Sequence, residues 1–314
     1  MNADITVVVP YYNEKATIEY TLEQVGNQSL PAKYAFFVNS SSTDDTSDMV
    51  SHWIEKNQHR FSTQFRNTYE NTCNPGSSKN VGIRHADTDW VAFMDCGQNF
   101  EKDWLEKQYM GALESKVDVI SGVVCLTGDN WVDRCAVAQT YGYKRNRSCL
   151  PTTLVKRSVF GKTGLFLEGR RAGYDVAWLI KLKKIGLERA INEKVKIHYI
   201  GTNFSSTLSS LYKKSALYAK STVGLEGYSI PYLYVIFLLM FLSVWAISGK
   251  AALAVILLYF LTRSFFLPVI KSRNVLYYKE YPLESILGLG LVGFVVDFGR
   301  VKGTLQGVLS SLFK

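Results

Sequence analysis

Three groups of polar residues stand directly behind apolar runs, and they are where this chain could do chemistry. Tyr11-Tyr12-Asn13-Glu14 follows Ile5–Val9, the stretch from Asn39 to Thr46 follows Tyr34–Val38, and Asp95-Cys96-Gly97-Gln98 follows Trp90–Met94. Farther on, Asp175 precedes Trp178, Leu179, Leu182 and Ile185, which share one helical face. Carboxylates such as Glu14, Asp95 and Asp175 can accept a proton or hold a hard cation. Each residue also has a plainer reading. Asn13 would cap a helix whose first turn favours Glu14, and Asp44, Asp45 and Asp175 suit turns or helix caps. Lys79 would be a solvated helix lysine, and His198 a hydrogen-bonded strand histidine.

The elements that must position these groups follow from periodicity. Ile5–Val9 is a β-branched run, after which Ile18, Leu22 and Val25 fall on one helical face. Tyr34–Val38 is again apolar, and Met49, Val50, Trp53 and Ile54 share a helix side. Trp90–Met94 and Val117–Val124 supply two more buried-type strands. This βαβα succession predicts a largely parallel sheet covered by helices, with ligands beyond the carboxyl ends of the strands.

Five segments then occur in a telling order: VVVPYYNE (Val7 to Glu14), SSTDDT (Ser41 to Thr46), GSSKNVGIRHA (Gly76 to Ala86), VAFMDCG (Val91 to Gly97) and GYDVAWLIKLKKIG (Gly173 to Gly186). Over about residues 5 to 205 the chain resembles glycosyltransferase family 2. The resemblance implies an α/β GT-A fold, Rossmann-like with a mostly parallel sheet, here followed by membrane helices. It also implies transfer of a sugar from a nucleotide diphosphate donor, usually with inversion. On it, Pro10, Tyr11 and Glu14 line the nucleotide site, Lys79 stands where the family tends to have Arg and faces the diphosphate, and Asp175 is the base that takes the acceptor proton.

Departures from the family pattern accompany these matches. Where the family has two adjacent acids, one of them contacting the base, this chain has Asn39-Ser40; Asn39 keeps an acceptor oxygen and loses the charge. The family's Asp-x-Asp is Asp95-Cys96-Gly97, so Asp95 remains near the ribose and a divalent Mg²⁺ or Mn²⁺ while the second charged ligand is missing, which puts the metal itself in doubt. His198 matches a histidine that completes the metal or phosphate shell, and Tyr174 replaces the Glu before Asp175. A helix N-terminus should keep Asp175 ionised at neutral pH.

The average composition of the 314 residues, 47% hydrophobic with a net charge of +9, hides an uneven distribution and excludes a disordered chain. Five cysteines without a CxxC pair read as reduced thiols. No basic segment precedes the short N-terminal apolar run, so the first two hundred residues are expected in the cytosol. The lysines belong to no nucleic-acid recognition module, which leaves anionic lipid and phosphates as partners and no nucleic acid.

Ile230 to Ser248 is nineteen uncharged residues, enough to cross a bilayer, and Ala251 to Ile270 returns with Arg263 as its one charge. The basic, aromatic stretch 271–279 places both ends of the hairpin in the cytosol. The apolar stretch Ser285 to Val296 reads as interfacial or re-entrant, with a full span as the alternative. Leu208, Leu211, Tyr212 and Tyr218 predict an amphipathic surface helix. The expected organisation is a transferase domain at 1–205, an interfacial linker at 206–229, a transmembrane hairpin at 230–270, and a basic segment with a third apolar helix at 271–314.

The expected protein is a membrane-bound transferase of a bacterial or archaeal inner membrane, its catalytic domain in the cytoplasm, acting on a lipid-linked or glycan acceptor. The alternatives are a catalytically degenerate relative that binds nucleotide or a partner, and a membrane-anchored dehydrogenase. The latter is disfavoured because no GxGxxG follows the first strand.

Overall fold

Ile5–Val9 forms the centre of the first strand, β1 (Ala3–Tyr11), in a computed structural model that describes residues 3–200 and 205–313. In chain order there follow α1 (Ile18–Gly26), β2 (Ala32–Asn39), α2 (Thr46–Asn57), β3 (Gln64–Tyr69), α3 (Pro75–His85), β4 (Trp90–Phe93), β5 (Gln98–Phe100) and α4 (Trp104–Ser115). Then come β6 (Val119–Cys125), α5 (Trp131–Thr140), β7 (Asn146–Lys156), α6 (Ser158–Thr163), α7 (Tyr174–Lys184) and β8 (Ala190–Tyr199). The sheet order is β3-β2-β1-β4-β7-β6-β8-β5. β1 pairs parallel with β2 and β4, β2 with β3, and β6 with β8; β7 against β4 and β5 against β8 are antiparallel.

Val8, Phe36, Val91 and Phe93 from the sheet are buried with Phe160, Phe166, Trp178 and Leu182 in one core. Burial of such side chains contributes about 1.5–3 kcal/mol each. Trp178 satisfies its indole by donating to Thr163 at 2.9 Å. α7 is thereby fixed on the sheet, which settles where its N-terminus points Asp175.

The chain divides into two units, Met1–Val124 with Asn146–Ile200, and Cys125–Arg145 with Gly201–Lys314. The sequence pattern alone predicts a division near 205, with residues 131–140 in the first unit. α5 instead folds with the second, because its polar side chains are spent there. Gln139 donates to the carbonyls of Arg263 and Leu289, Arg134 pairs with Glu284, and Asp133 accepts from the backbone of Ser205.

The rest of the second unit is α8 (Leu208–Thr222), α9 (Ile230–Ile247), α10 (Gly249–Leu261), α11 (Leu267–Ser272), α12 (Leu276–Glu280) and α13 (Leu289–Leu312). Among the described residues three helical segments are long and apolar enough to cross a membrane: Ile230–Ile247, Gly249–Ser272 and Pro282–Leu312. The third is 31 residues long, well beyond the twelve read from sequence, because the charges that seemed to end it are paired. Asp297 meets Arg263 at 3.0 Å and Arg300 at 3.7 Å.

α13 crosses the open end of the α9–α10 hairpin. Its Gly293 and Asp297 bond Arg263 and Tyr259, while Arg300 and Thr304 bond Tyr234 and Pro231. Phe237 and Tyr259 lie side by side across the hairpin, so residues 231–237 and 259–263 face one another in the part of the hairpin away from its turn. A helix running alongside the hairpin would instead meet successively deeper residues.

α8 opens with a reciprocal cap between Thr207 and Ser210. Its buried face is Leu211, Ser215, Ala216 and Ala219, smaller than the predicted leucine and tyrosine stripe. That face meets the glycines of α13: a Cβ at Gly299 would come within 2.7 Å of the Tyr212 carbonyl, and one at Gly303 within 2.0 Å of the Ala216 carbonyl.

Candidate active site

Pro75 starts α3 at a position where a missing N–H costs nothing. Gly76 brings this first turn close to the 167–174 loop, since a Cβ there would stand 2.7 Å from the Leu167 carbonyl and 3.1 Å from Cβ of Tyr174. Asn80 fastens the same loop from one turn later: its amide donates to the Phe166 carbonyl and to Glu168, and its oxygen accepts from the Phe166 N–H. Between them, Lys79 is buried to 1% side-chain exposure; its Nζ donates to Oδ1 of Asp95 at 2.7 Å and lies 5.7 Å from the centre of the Tyr174 ring. A strand end (Asp95), a helix (Lys79) and the start of another helix (Asp175) therefore meet at the carboxyl edge of the sheet.

Asp175 sits at the second position of α7, with Gly173 in a left-handed conformation as the residue before the helix. Its carboxyl is raised above the ordinary aspartate range: burial dominates and Asp95 adds to it, opposed by the first backbone N–H groups of the helix and by Lys79. This reverses the sequence-based expectation of a lowered value, because desolvation outweighs the helix terminus. Glu14 is raised as well, first by burial and then by Asp95 and Asp44, against a 2.7 Å hydrogen bond from Thr17. Glu14, Lys79 and Asp175 thus each lie within electrostatic reach of Asp95, and Asp175 also within reach of Lys79. The Cys96 thiol, pushed well up by burial and by Glu14 and Asp95, stays protonated.

Other predicted residues are placed differently. Tyr11 is a core side chain whose hydroxyl donates to Asn67 at 2.8 Å, whereas its neighbour Tyr12 is exposed. Pro10 is half-buried at the end of β1. Asn39 spends its amide oxygen on the N–H of Ser42. Asn13, left-handed at φ 54°, accepts from the N–H of Thr43, and its own N–H donates to Ser42, so the loops after β1 and β2 are joined. Asp44 is held below the ordinary range by Thr46, and Asp45 pairs with Lys15 at 2.6 Å; both serve the turn. His198 is exposed on β8 opposite Asn99 in β5, one step from the bond between the N–H of Ile200 and the carbonyl of Gly97.

The glycosyl transferase family 2 profile matches residues 6–166, just over half the chain. The chain belongs to glycosyl transferase family 2. Over 104 residues it is 32% identical to a Bacillus subtilis protein named for teichuronic acid biosynthesis, the glycosyltransferase TuaG, covering 33% of this chain and 40% of that one. Over 233 residues it is 23% identical to glycosyltransferase AglE of Haloferax volcanii, covering 70% of this chain and 73% of the other. Among solved structures, the mannosyltransferase PcManGT of Pyrobaculum calidifontis, in complex with GDP-Man and Mn²⁺, shares the fold with a TM-score of 0.58. It is 17% identical, and the match covers 96% of this chain and 88% of that one.

For a family 2 member the cation question turns on the 95–97 segment. Gly97 has φ 70°, so a side chain there would be strained; the atoms nearest to its missing Cβ are Oε2 of Glu14 and Oγ1 of Thr17, each 3.9 Å away. Among the described residues no three His, Cys, Asp or Glu side chains form a cation-binding set. Mg²⁺ and Mn²⁺ at nucleotide sites need only one or two carboxylates beside the phosphates, and Asp95 with Glu14 fits that smaller requirement.

The sequence marks Tyr174 only as a substitution for Glu, whereas its ring lies against the Lys79 ammonium. Glu70, which follows β3 as an acid in a polar run with no periodicity to mark it, is a buried carboxylate.

Proposed function

We propose that this chain is a membrane-bound glycosyltransferase that moves a sugar from a nucleotide diphosphate sugar to a lipid-linked or polysaccharide acceptor, with inversion. The observation that carries this reading is the convergence of Glu14, Lys79, Asp95 and Asp175 at the carboxyl ends of the strands. Asp175 accepts the proton of the acceptor hydroxyl; its raised basicity suits a general base near neutral pH. A single base acting on the acceptor, in one displacement, inverts the anomeric carbon. Lys79 holds Asp95 in place and, from its buried position, adds a positive charge to the field at the leaving diphosphate. Among Glu14, Lys79, Asp95 and Asp175, three carboxylates accompany the single ammonium of Lys79, which is already paired with Asp95, so a diphosphate needs further positive charge. Mg²⁺ or Mn²⁺, held by Asp95 with Glu14 or His198 and by the phosphates, would supply it.

The second unit supports an anchor at the inner leaflet. α9, of 18 residues, is about 27 Å long, close to the hydrocarbon thickness. The course of α13 across the open end of the hairpin supports an in-plane placement with both termini in the cytosol, and the basic stretch 271–279 agrees. Relatives from a bacterium and an archaeon support an envelope location of the same kind.

A second reading, a scaffold that binds nucleotide without turnover, draws on Gly97 and on the Asn39 oxygen being spent in a turn. Membranes containing the chain, assayed with a panel of nucleotide sugars, separate the two. Transfer that is lost in Asp175→Asn supports the enzyme; calorimetric nucleotide binding with no transfer from any donor supports the scaffold.

A further inference from the structure

Glu70 is buried to 6% exposure at the end of β3. Its Oε1 accepts from the N–H and the hydroxyl of Thr72 at 2.9 and 2.7 Å, and its Oε2, fully covered, has no hydrogen-bond partner among the described residues. Buried carboxylate oxygens are normally bonded, so an unmet one signals a missing donor.

Its position says what kind of donor. The N–H of Glu70 bonds the Asn39 carbonyl at 2.8 Å, and Ser41 donates to the Glu70 carbonyl at 2.9 Å. The hydroxyls of Ser40, next to Asn39, and of Ser78 meet at 2.5 Å, and beside Ser78 the buried Oγ of Ser77 also has no partner among the described residues. Glu70 therefore stands beside Asn39-Ser40 at the carboxyl ends of β2 and β3, where the family pattern has acids and where the Asn39 side-chain oxygen already accepts from Ser42.

We propose that Glu70 provides the base-reading carboxylate of this site, Oε2 accepting an N–H from the Watson–Crick edge of uracil or guanine. Uracil N3–H and guanine N1–H are donors where cytosine N3 presents a lone pair, so a carboxylate set against that central position favours the first two over cytosine, whose one donor on that edge is the N4 amine. The assignment deepens the nucleotide-sugar reading and rests on it. Because Oε2 is covered, the assignment requires the half-exposed to exposed turn at 71–74 to move aside when the base enters.

The test is calorimetry on the full chain in detergent with UDP, GDP and CDP. The wild type should bind the better of UDP and GDP at least about tenfold more tightly than CDP, the scale of a hydrogen bond to a charged group. In Glu70→Gln an amide N–H can face the base, and that ratio should collapse towards one. Thr72→Val, which loses only the hydroxyl bond within the turn, should keep it. A wild type without preference, a ratio unchanged in Glu70→Gln, or an equal collapse in Thr72→Val overturns the assignment and leaves the transferase reading standing. Absence of binding to all three nucleotides overturns both.

Discussion

The ammonium of Lys79 and the carboxylate of Asp95 are 2.7 Å apart, the lysine sealed from water and the aspartate one third exposed. Removing one partner of such a pair strands the other. Lys79→Met should lower stability by about 2–3 kcal/mol, near the lower end for buried pairs because Asp95 still reaches solvent. The same variant should lose nucleotide binding. Thermal melting in detergent and calorimetry with UDP and GDP check the two effects separately, and an unchanged melting temperature would contradict the buried-pair reading.

Asp175 and Glu14 are both raised, mainly by burial. The folded chain holds these protons more tightly than the unfolded one does. The stability they contribute is therefore complete below the unfolded carboxyl range and is lost as pH rises through their folded values. If Asp175 is the base proposed above, transfer requires it ionised, and the acid limb of the rate profile should lie above the usual aspartate range. A profile of transfer rate against pH, repeated in Glu14→Gln, reads this directly. Removing Glu14 should leave an acid limb, whereas Asp175→Asn should abolish it along with most of the rate.

Chelation bears on the cation. If Asp95 and Glu14 hold Mg²⁺ or Mn²⁺ with the phosphates, EDTA should reduce transfer at least about tenfold, since even outer partners of a metal are worth that much. Mn²⁺ added back should restore the rate in wild type and fail to do so in Asp95→Asn. Binding of Mn²⁺ in the presence of UDP or GDP, followed by electron paramagnetic resonance, gives the same comparison without turnover.

Gly303 leaves no room for a methyl group, since a Cβ would fall 2.0 Å from the backbone oxygen of Ala216. Backbone cannot swing aside as a side chain can, so Gly303→Ala should destabilise the second unit by about 1–3 kcal/mol, the usual cost of overpacking. Gly161, with nothing within 4 Å of its missing Cβ, is the control. Melting of both variants in detergent decides the matter.

Strands β1, β2, β4 and β6 were legible because they are apolar runs covered on both faces. β3, Gln64–Tyr69, escaped because only Phe65 is buried and the rest are polar or partly exposed. The same physics hid the length of the last helix: its charges break the hydropathy pattern, and only the fold shows them neutralised by Arg263 and Asp297. At the site, Glu14, Lys79, Asp95 and Asp175 could be chosen one by one, but the pairing of Lys79 with Asp95 spans sixteen positions and no local period announces it. Glu70 was invisible for a related reason, since what marks it is an unmet bond.

Asn13 and Thr43 exchange hydrogen bonds between the loops that end β1 and β2, with Ser42 and the Lys15–Asp45 pair beside them. Cross-braced in this way, the two loops behave as a single fixed jaw. Whatever docks against them finds its shape already set on that side.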